Sequence, residues 1–68
     1  MSKLAPHVQR MCDELADLET KVTALDAFIE SNPVYPTLSE TEQHLLCSQT
    51  CAMSTYINIL KLRIKLAQ

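Results

Sequence analysis

The side chains that could hold a metal ion are His44, Cys47 and Cys51. Thiolates and imidazoles are preferred zinc ligands, and spacings of three and then four residues place all three on one face of a helix. A fourth ligand would have to be His7 or Cys12, and both lie far from Cys47 once the chain folds back as described below. The simpler interpretation is a set of buried structural thiols and a surface histidine, with no metal.

The sequence contains no set of side chains arranged like a catalytic centre. Glycine is absent, which excludes a glycine-rich phosphate loop. Ser39 and His44 are close in sequence, but no acid in a cleft is available to orient them. The carboxylates are scattered over surface positions and are typical of solvated charges. We therefore expect a protein that is not an enzyme and needs no cofactor.

The charges of the chain are separated along its length. All eight acidic residues lie between Asp13 and Glu42, and Lys21 is the one basic residue in that range. The helix dipole accounts for basic residues late in a second helix, but not for basic residues early in a first helix. Anion binding and a solvated basic face both remain open. These basic residues would not lie along a groove of DNA, because the other end of the molecule is acidic. The basic residues outside the acidic range are Lys3, Arg10, Lys61, Arg63 and Lys65.

The elements that position these charges begin with a strict heptad pattern. Its alternating spacings of four and three residues predict one helix packed along a seam. Pro6 suits a first helical turn, and either Ser2 or Ala5 would be the N-cap. The helix should end near Ser31, because the residue before Pro33 is pushed out of helical geometry. The apolar heptad positions are Leu4, Val8, Met11, Leu15, Leu18, Val22, Leu25 and Ile29.

A proline-containing elbow over residues 32–38 precedes the second helix. Two prolines stiffen it by fixing φ. Ser39 followed by Glu42 forms a capping-box pattern at the expected helix start. Thr37 followed by Glu40 offers the same pattern two residues earlier, so the sequence leaves both starts open.

The second helix carries two apolar stripes. One can close a hairpin, and the other has nothing left in a monomer to pack against, which is typical of an association surface. A chain of 68 residues is also short for an adequate core of its own. We therefore predict an all-α, two-helix antiparallel hairpin, a single domain with helices at about 4–31 and 39–66, assembled into a homo-oligomer. The closing stripe is Leu46, Thr50, Met53, Ile57, Leu60, Ile64 and Ala67; the second stripe is Leu45, Ala52, Tyr56, Ile59 and Leu66.

Folding the hairpin would bring the separated basic residues together. Positions equidistant from the elbow lie side by side, so Leu25 falls opposite Leu46 and Arg10 opposite Lys61. The five outlying basic residues then gather at the open end of the hairpin. No segment reads as a signal peptide or a membrane span, and three cysteines without a secretory signal favour reduced thiols in a cytosol.

Two segments carry a family resemblance. LDAFIESNPVYPTLSETEQHLL (25–46), followed by YINILKLRI (56–64), resembles the helical-hairpin domain of phage anti-defence proteins, the signal sponges of the anti-CBASS and anti-Thoeris type. The shared pattern is a helix ending in AFI, an NP elbow, an acidic capping box and a second helix that contains tyrosine. The likeness runs from about residue 12 onward.

The resemblance implies a homo-oligomer, a hexamer in the anti-CBASS branch, acting in the cytoplasm of the host cell. It implies binding of cyclic di- or trinucleotides, or of cyclic ADP-ribose variants, between protomers and without catalysis. The family has a lysine and a threonine in its first long helix, matched by Lys21 and Thr23, and a late basic residue, matched by Lys61 or Arg63. With two residues of the open end, the candidate ligand-binding set is Lys21, Thr23, Lys61, Arg63, Arg10 and His7.

Two alternatives stay open beside this interpretation. Longer family members stack an N-terminal aromatic residue on a base, whereas the first aromatic residue here is Phe28. The dinucleotide-type pocket is therefore in question, and a trinucleotide-type or other pocket is open. The other alternative is a coiled-coil-like protein–protein interaction module without a nucleotide ligand, which the strict heptads would also suit.

Overall fold

The computed structural model describes residues 4–68 and contains two long helices joined by a short elbow. Helix α1 spans Pro6–Ser31 and helix α2 spans Glu40–Ala67, with a single 3₁₀ turn at Tyr35–Thr37 between them. No strand occurs in the described residues, and the rod measures 50 × 18 × 14 Å. The predicted all-α hairpin is confirmed, and the predicted helix bounds agree to within about two residues.

The ends of α1 follow the local chemistry of the chain. Ala5 is the N-cap and Pro6 occupies the first turn, without a side-chain cap; the alternative cap, Ser2, lies outside the described residues. At the other end Asn32 adopts an extended backbone, and its N–H donates to the Phe28 carbonyl at 3.2 Å. The predicted end of the helix before Pro33 is confirmed.

Side chains fasten the elbow to both helices. The Asn32 carboxamide oxygen accepts a hydrogen bond from the Val34 N–H at 2.8 Å. From α2, the Gln43 amide donates to the carbonyls of Tyr35 and Leu38, each at 3.1 Å. The Tyr35 carbonyl also accepts from the Leu38 N–H at 3.1 Å within the 3₁₀ turn, so these bonds together hold a defined turn without glycine.

Ser39 is the N-cap of α2. Its hydroxyl accepts a hydrogen bond from the Glu42 N–H at 3.2 Å. The competing Thr37 hydroxyl instead donates to the Val34 carbonyl at 2.6 Å. Of the two capping patterns in the sequence, the later one is therefore used.

The core of the hairpin is thin. Among residues 4–68, the buried hydrophobic side chains are Val8, Met11, Ile57 and Leu60. Leu60 has no exposed surface and packs with Val8 and Met11 into a cluster near the open end of the hairpin. The predicted closing stripe of α2 faces α1 as expected, except that Ala67 at its end is exposed.

Two predictions about α2 are wrong in part. Tyr56 does not belong to an outward stripe, because it packs against the core on α1. Cys47 and Cys51 are exposed rather than buried, since each follows by one residue the inward-facing Leu46 or Thr50 and so points away from α1. Cys12, on α1, is partly buried.

The back of α2 exposes a long apolar surface in the single chain. Leu45 is 64% exposed, Ile59 47%, Leu62 63% and Leu66 86%. The prediction that the second helix keeps apolar residues without a partner in the monomer is confirmed for Leu45, Ile59 and Leu66.

Replacing Ser39 by alanine should destabilise the protein, because the side-chain acceptor for the first turn of α2 is lost. The expected loss is about 1 kcal/mol in the free energy of unfolding, measured by urea denaturation. Ser54→Ala, an exposed change within the same helix, is the matched control and should be neutral or slightly stabilising. Equal losses in the two variants would contradict the assigned cap.

Candidate functional site

Contacts between the two helices set the register of the hairpin. The Tyr56 hydroxyl donates to the Glu14 carboxylate at 2.6 Å. Because the helices are antiparallel and Leu60 packs with Val8 and Met11, positions whose numbers add up to about 70 lie within about one helical turn of one another along the rod. Arg63, two turns after Tyr56, therefore lies level with His7, two turns before Glu14, on the same side of the rod. We call this side the Tyr56 flank.

Cationic and ionisable side chains collect at the open end of the Tyr56 flank. Arg10 precedes Glu14 by four residues and so shares its face of α1. His7, Arg10 and Arg63 are all exposed, and His7 and Arg63 lie level across the two helices. The predicted gathering of basic residues at the open end is consistent with this register; Lys3 lies outside the described residues. The arrangement can offer several hydrogen-bond donors to an anion.

The pKa of Tyr56 depends on the charged groups around it on this flank. The hydrogen bond to Glu14 raises the pKa of Tyr56 above its ordinary value, and desolvation and the charge of the carboxylate raise it further. The positive charge of Arg63 acts in the opposite direction. Tyr56 is therefore a neutral donor engaged with Glu14, and Arg63 is close enough to influence it.

The opposite side of the hairpin, which we call the Glu19 flank, holds two other candidates. Lys61 forms an ion pair with Glu19, with an N–O distance of 3.6 Å and both side chains about half exposed. Thr23 follows Glu19 by four residues and lies on the same face of α1. Lys61 thus has an acidic partner within its own chain. In one chain, Thr23 and Lys61 are on the other side of the rod from His7, Arg10 and Arg63.

Lys21 belongs to the Tyr56 flank but lies nearer the elbow. It is exposed and follows Glu14 by two turns, which is about 10 Å along the axis. Arg63 lies a similar distance from Tyr56 in the other direction. One chain therefore separates Lys21 and Arg63 by about 20 Å along the rod, too far for one phosphate.

An open depression of about 560 Å³ lies on α1 beside the elbow. Its walls are mainly small or apolar, so a flat ring could rest there. Lys21 precedes Ala24, one of the lining residues, by about one helical turn. The lining residues are Ala24, Ala27, Phe28, Ser31, Asn32 and Pro33.

The thiols and histidines show no metal cluster in the described part of the chain. Within residues 4–68, no group of three potential ligands is placed to hold a metal ion. The Cys47 sulfur instead lies 3.4 Å from the Tyr35 hydroxyl, in hydrogen-bonding contact. Neither described helix is long and apolar enough to cross a membrane.

Sequence reasoning did not identify the pairing of Tyr56 with Glu14. The hairpin register already placed position 56 opposite position 14, so a phenol facing a carboxylate was the available signal. It was obscured because Tyr56 also fits the spacing of the second apolar stripe. The depression on α1 carries no sequence signal beyond two alanines at successive turns.

Fold and surface together define a small helical-hairpin protein with His7, Arg10 and Arg63 exposed on one side of its open end. The chain belongs to the Sequestin family, whose model matches residues 5–66. The family name indicates sequestration of a ligand rather than its conversion. No curated protein and no solved structure matches the chain.

Removing the Glu14 carboxylate should lower the pKa of Tyr56 towards its ordinary value. Glu14→Ala abolishes the largest cause of the raised pKa, and tyrosinate absorbance in an alkaline titration measures the change. Glu19→Ala is the matched control, since it removes a carboxylate paired with Lys61 rather than with tyrosine.

The hydrogen bond between Tyr56 and Glu14 also makes the stability of the protein depend on pH. Because the pKa of Tyr56 is raised in the folded state, its contribution to stability is complete below the ordinary tyrosine pKa and is lost as pH rises through the raised value. Identical titration curves for Glu14→Ala and Glu19→Ala would contradict this assignment.

Proposed function

We propose that this protein is a phage anti-defence sponge that binds a cyclic nucleotide immune signal and sequesters it uncleaved. The ligand class comprises cyclic di- and trinucleotides and cyclic ADP-ribose variants. The observation that carries the proposal is the placement of His7, Arg10 and Arg63 at one end of the Tyr56 flank, in a chain of the Sequestin family.

The charges of the flank suit such a ligand. A cyclic oligonucleotide carries several phosphates, and the planar guanidinium of an arginine binds a phosphate through two parallel hydrogen bonds. Arg10 and Arg63 supply that chemistry, and the His7 imidazole adds a further donor. Lys61 is the weaker of the two late basic candidates, because it is already paired with Glu19.

Binding without cleavage is supported by the chemistry of the flank. Tyr56, a potential nucleophile or acid, donates to Glu14 and has a raised pKa, which favours its neutral form. Phosphodiester hydrolysis needs an activated nucleophile held in line with the leaving group. The described flank supplies cations that position an anion and no activated nucleophile.

The proposed sponge works as a homo-oligomer, with a hexamer as the assembly that the resemblance implies. Its support is the apolar back of α2, which a single chain leaves in water. A ligand held between protomers would also be enclosed more fully than a ligand on an open rod.

The second candidate function is a coiled-coil-like interaction module that binds a protein partner. The same exposed back of α2 favours it, since such a surface fits an amphipathic helix. The two candidates differ in what the cations do: an adaptor keeps its partner when Arg63 is removed, whereas a sponge loses affinity for its ligand.

Replacing Arg63 or Lys21 by alanine should weaken nucleotide binding and leave the fold intact. Each change removes a charge-assisted phosphate contact, roughly 1.5–3 kcal/mol or about tenfold to a hundredfold in affinity. Isothermal titration calorimetry with cyclic di- and trinucleotides and cyclic ADP-ribose variants measures the effect. Lys65→Ala, on the other side of α2 from Arg63, is the matched control and should bind like the wild type. No binding of any member of the panel at tens of micromolar would favour the adaptor.

Replacing Ile59 by glutamate should dissociate the assembly, because a charge without a partner would be buried in the interface. Light scattering at micromolar concentration measures the mass. Asn58→Glu introduces the same charge at the neighbouring exposed position and should leave the assembly intact. A monomeric wild-type protein would contradict the proposed oligomer.

A further inference from the structure

The open depression on α1 beside the elbow lies apart from the cations at the open end of the hairpin. Its volume of about 560 Å³ is in the range of small-molecule sites, which combine apolar walls with a few polar groups. Ser31 and Asn32 contribute a hydroxyl and an amide to its lining. The apolar part of the lining consists of Ala24, Ala27, Phe28 and Pro33.

The aromatic part of this lining is held in place without a ligand. The Phe28 ring packs edge-to-face against Tyr35, with 6.2 Å between the ring centroids and 85° between the ring planes. The Tyr35 hydroxyl contacts the Cys47 sulfur at 3.4 Å, and the Tyr35 carbonyl accepts from the Gln43 amide at 3.1 Å. A flat ring that enters the depression therefore meets an aromatic side chain that needs little further ordering.

The Asn32 amide has one end committed to the elbow. The Val34 N–H can only donate, so the Asn32 atom that faces it at 2.8 Å is the carboxamide oxygen. The NH₂ group is the other end of the amide, and none of the hydrogen bonds within residues 4–68 uses it. Because Asn32 is exposed, this donor is available to a ligand in the depression.

A hydrogen-bond donor beside an apolar wall selects a ring that carries acceptors. On the edge that faces the major groove in DNA, guanine presents the acceptors N7 and O6, whereas adenine presents one acceptor and one amino donor. An asparagine that recognises adenine uses both its oxygen and its NH₂ group, but the Asn32 oxygen faces Val34. The unused end of Asn32 therefore matches guanine better than adenine.

A cation lies on the same face of α1 as the depression. Lys21, Ala24 and Phe28 are spaced by three and then four residues, so their side chains are neighbours along the helix. Lys21 is exposed and precedes Phe28 by two turns, about 10 Å along the axis. In the described part of the chain, the lysine ion pair joins Lys61 to Glu19, and Lys21 forms none. Its ammonium group can therefore pair with the phosphate of a bound nucleotide.

We infer that the depression binds a guanine ring, that the Asn32 NH₂ group donates to the acceptor edge of this ring, and that Lys21 pairs with the phosphate of the same nucleotide. This subsite lies within one chain, at the elbow end of the rod, and uses none of the cations at the open end. The inference rests on the proposed function for its ligand, and it narrows the ligand class to cyclic nucleotides that contain guanine.

Replacing Asn32 by aspartate tests the base preference and retains the turn, because an aspartate oxygen can still accept from the Val34 N–H. In titration calorimetry, the wild type should bind cyclic di-GMP about tenfold more tightly than cyclic di-AMP, and the variant should lose this preference. The added negative charge weakens both ligands alike, since they carry the same phosphates. Asn58→Asp, the same change at an exposed position of α2, should keep the wild-type preference. A preference that survives in Asn32→Asp, or a wild type without one, overturns the inference.

Nuclear magnetic resonance of the alanine methyl groups locates the ring in the wild-type protein, so this test stands even if Asn32→Asp fails to fold. Cyclic di-GMP should shift the methyl signals of Ala24 and Ala27. The control is Ala67, which lies at the other end of the rod and should not respond. Tight binding without shifts at Ala24 and Ala27 would overturn the inference and leave the proposed function standing.

The remaining outcome separates the subsite from the proposed function. If no cyclic nucleotide binds tightly, the proposed function fails, and the same methyl signals are followed with GMP at millimolar concentration. Shifts at Ala24 and Ala27 would then support a guanine subsite in a protein that is not a sponge. Unchanged signals would overturn the subsite as well.

Discussion

Two helices in contact can bury only the stripe of residues along which they touch, and this constraint shapes the whole molecule. The four buried residues among positions 4–68 lie on that line of contact. The other side chains of α1 and α2 are half-buried or exposed, and the apolar back of α2 stays in water in a single chain. A chain with so thin a core gains stability most readily from another copy of itself, and its ligand-binding surface must lie on the sides of the rod rather than in an enclosed cavity.

Structural features that depend on residues close together in the sequence could be predicted from the sequence alone. The end of α1 before Pro33 and the Ser39 cap with Glu42 depend on residues a few positions apart, so local chemistry determines them. The inward faces follow from heptad spacing. Spacing does not resolve residues near the boundary of a stripe, and Tyr56 sits at that boundary. Its role was mistaken because the partner, Glu14, is set by the register of the hairpin. The exposure of Cys47 and Cys51 was missed for a related reason: thiols are usually buried, but helical phase places these two outward.

The candidate site residues come from the sequence and remain a prediction, and only part of their arrangement could be foreseen. Opposite position in the hairpin correctly indicated a basic open end. Helical phase separates the candidates further, with Lys61 and Thr23 on the Glu19 flank and the others on the Tyr56 flank. Lys21 and Arg63 lie about 20 Å apart along the rod in one chain. The sequence alone does not show which surfaces of two chains would come into contact.

Sequestration requires fewer specialised groups than catalysis does, and the proposed mechanism uses only groups that bind the ligand. A sponge needs cations placed to match phosphates and a surface for the rings, but no activated nucleophile. The most direct test is recovery of the bound ligand. The protein is saturated with a cyclic nucleotide that it binds, washed free of unbound ligand and heat-denatured, and the released material is identified by chromatography and mass spectrometry. The account predicts that the intact cyclic nucleotide returns in stoichiometric amount. Recovery of a linear or hydrolysed product would show that the protein is an enzyme and would contradict the account.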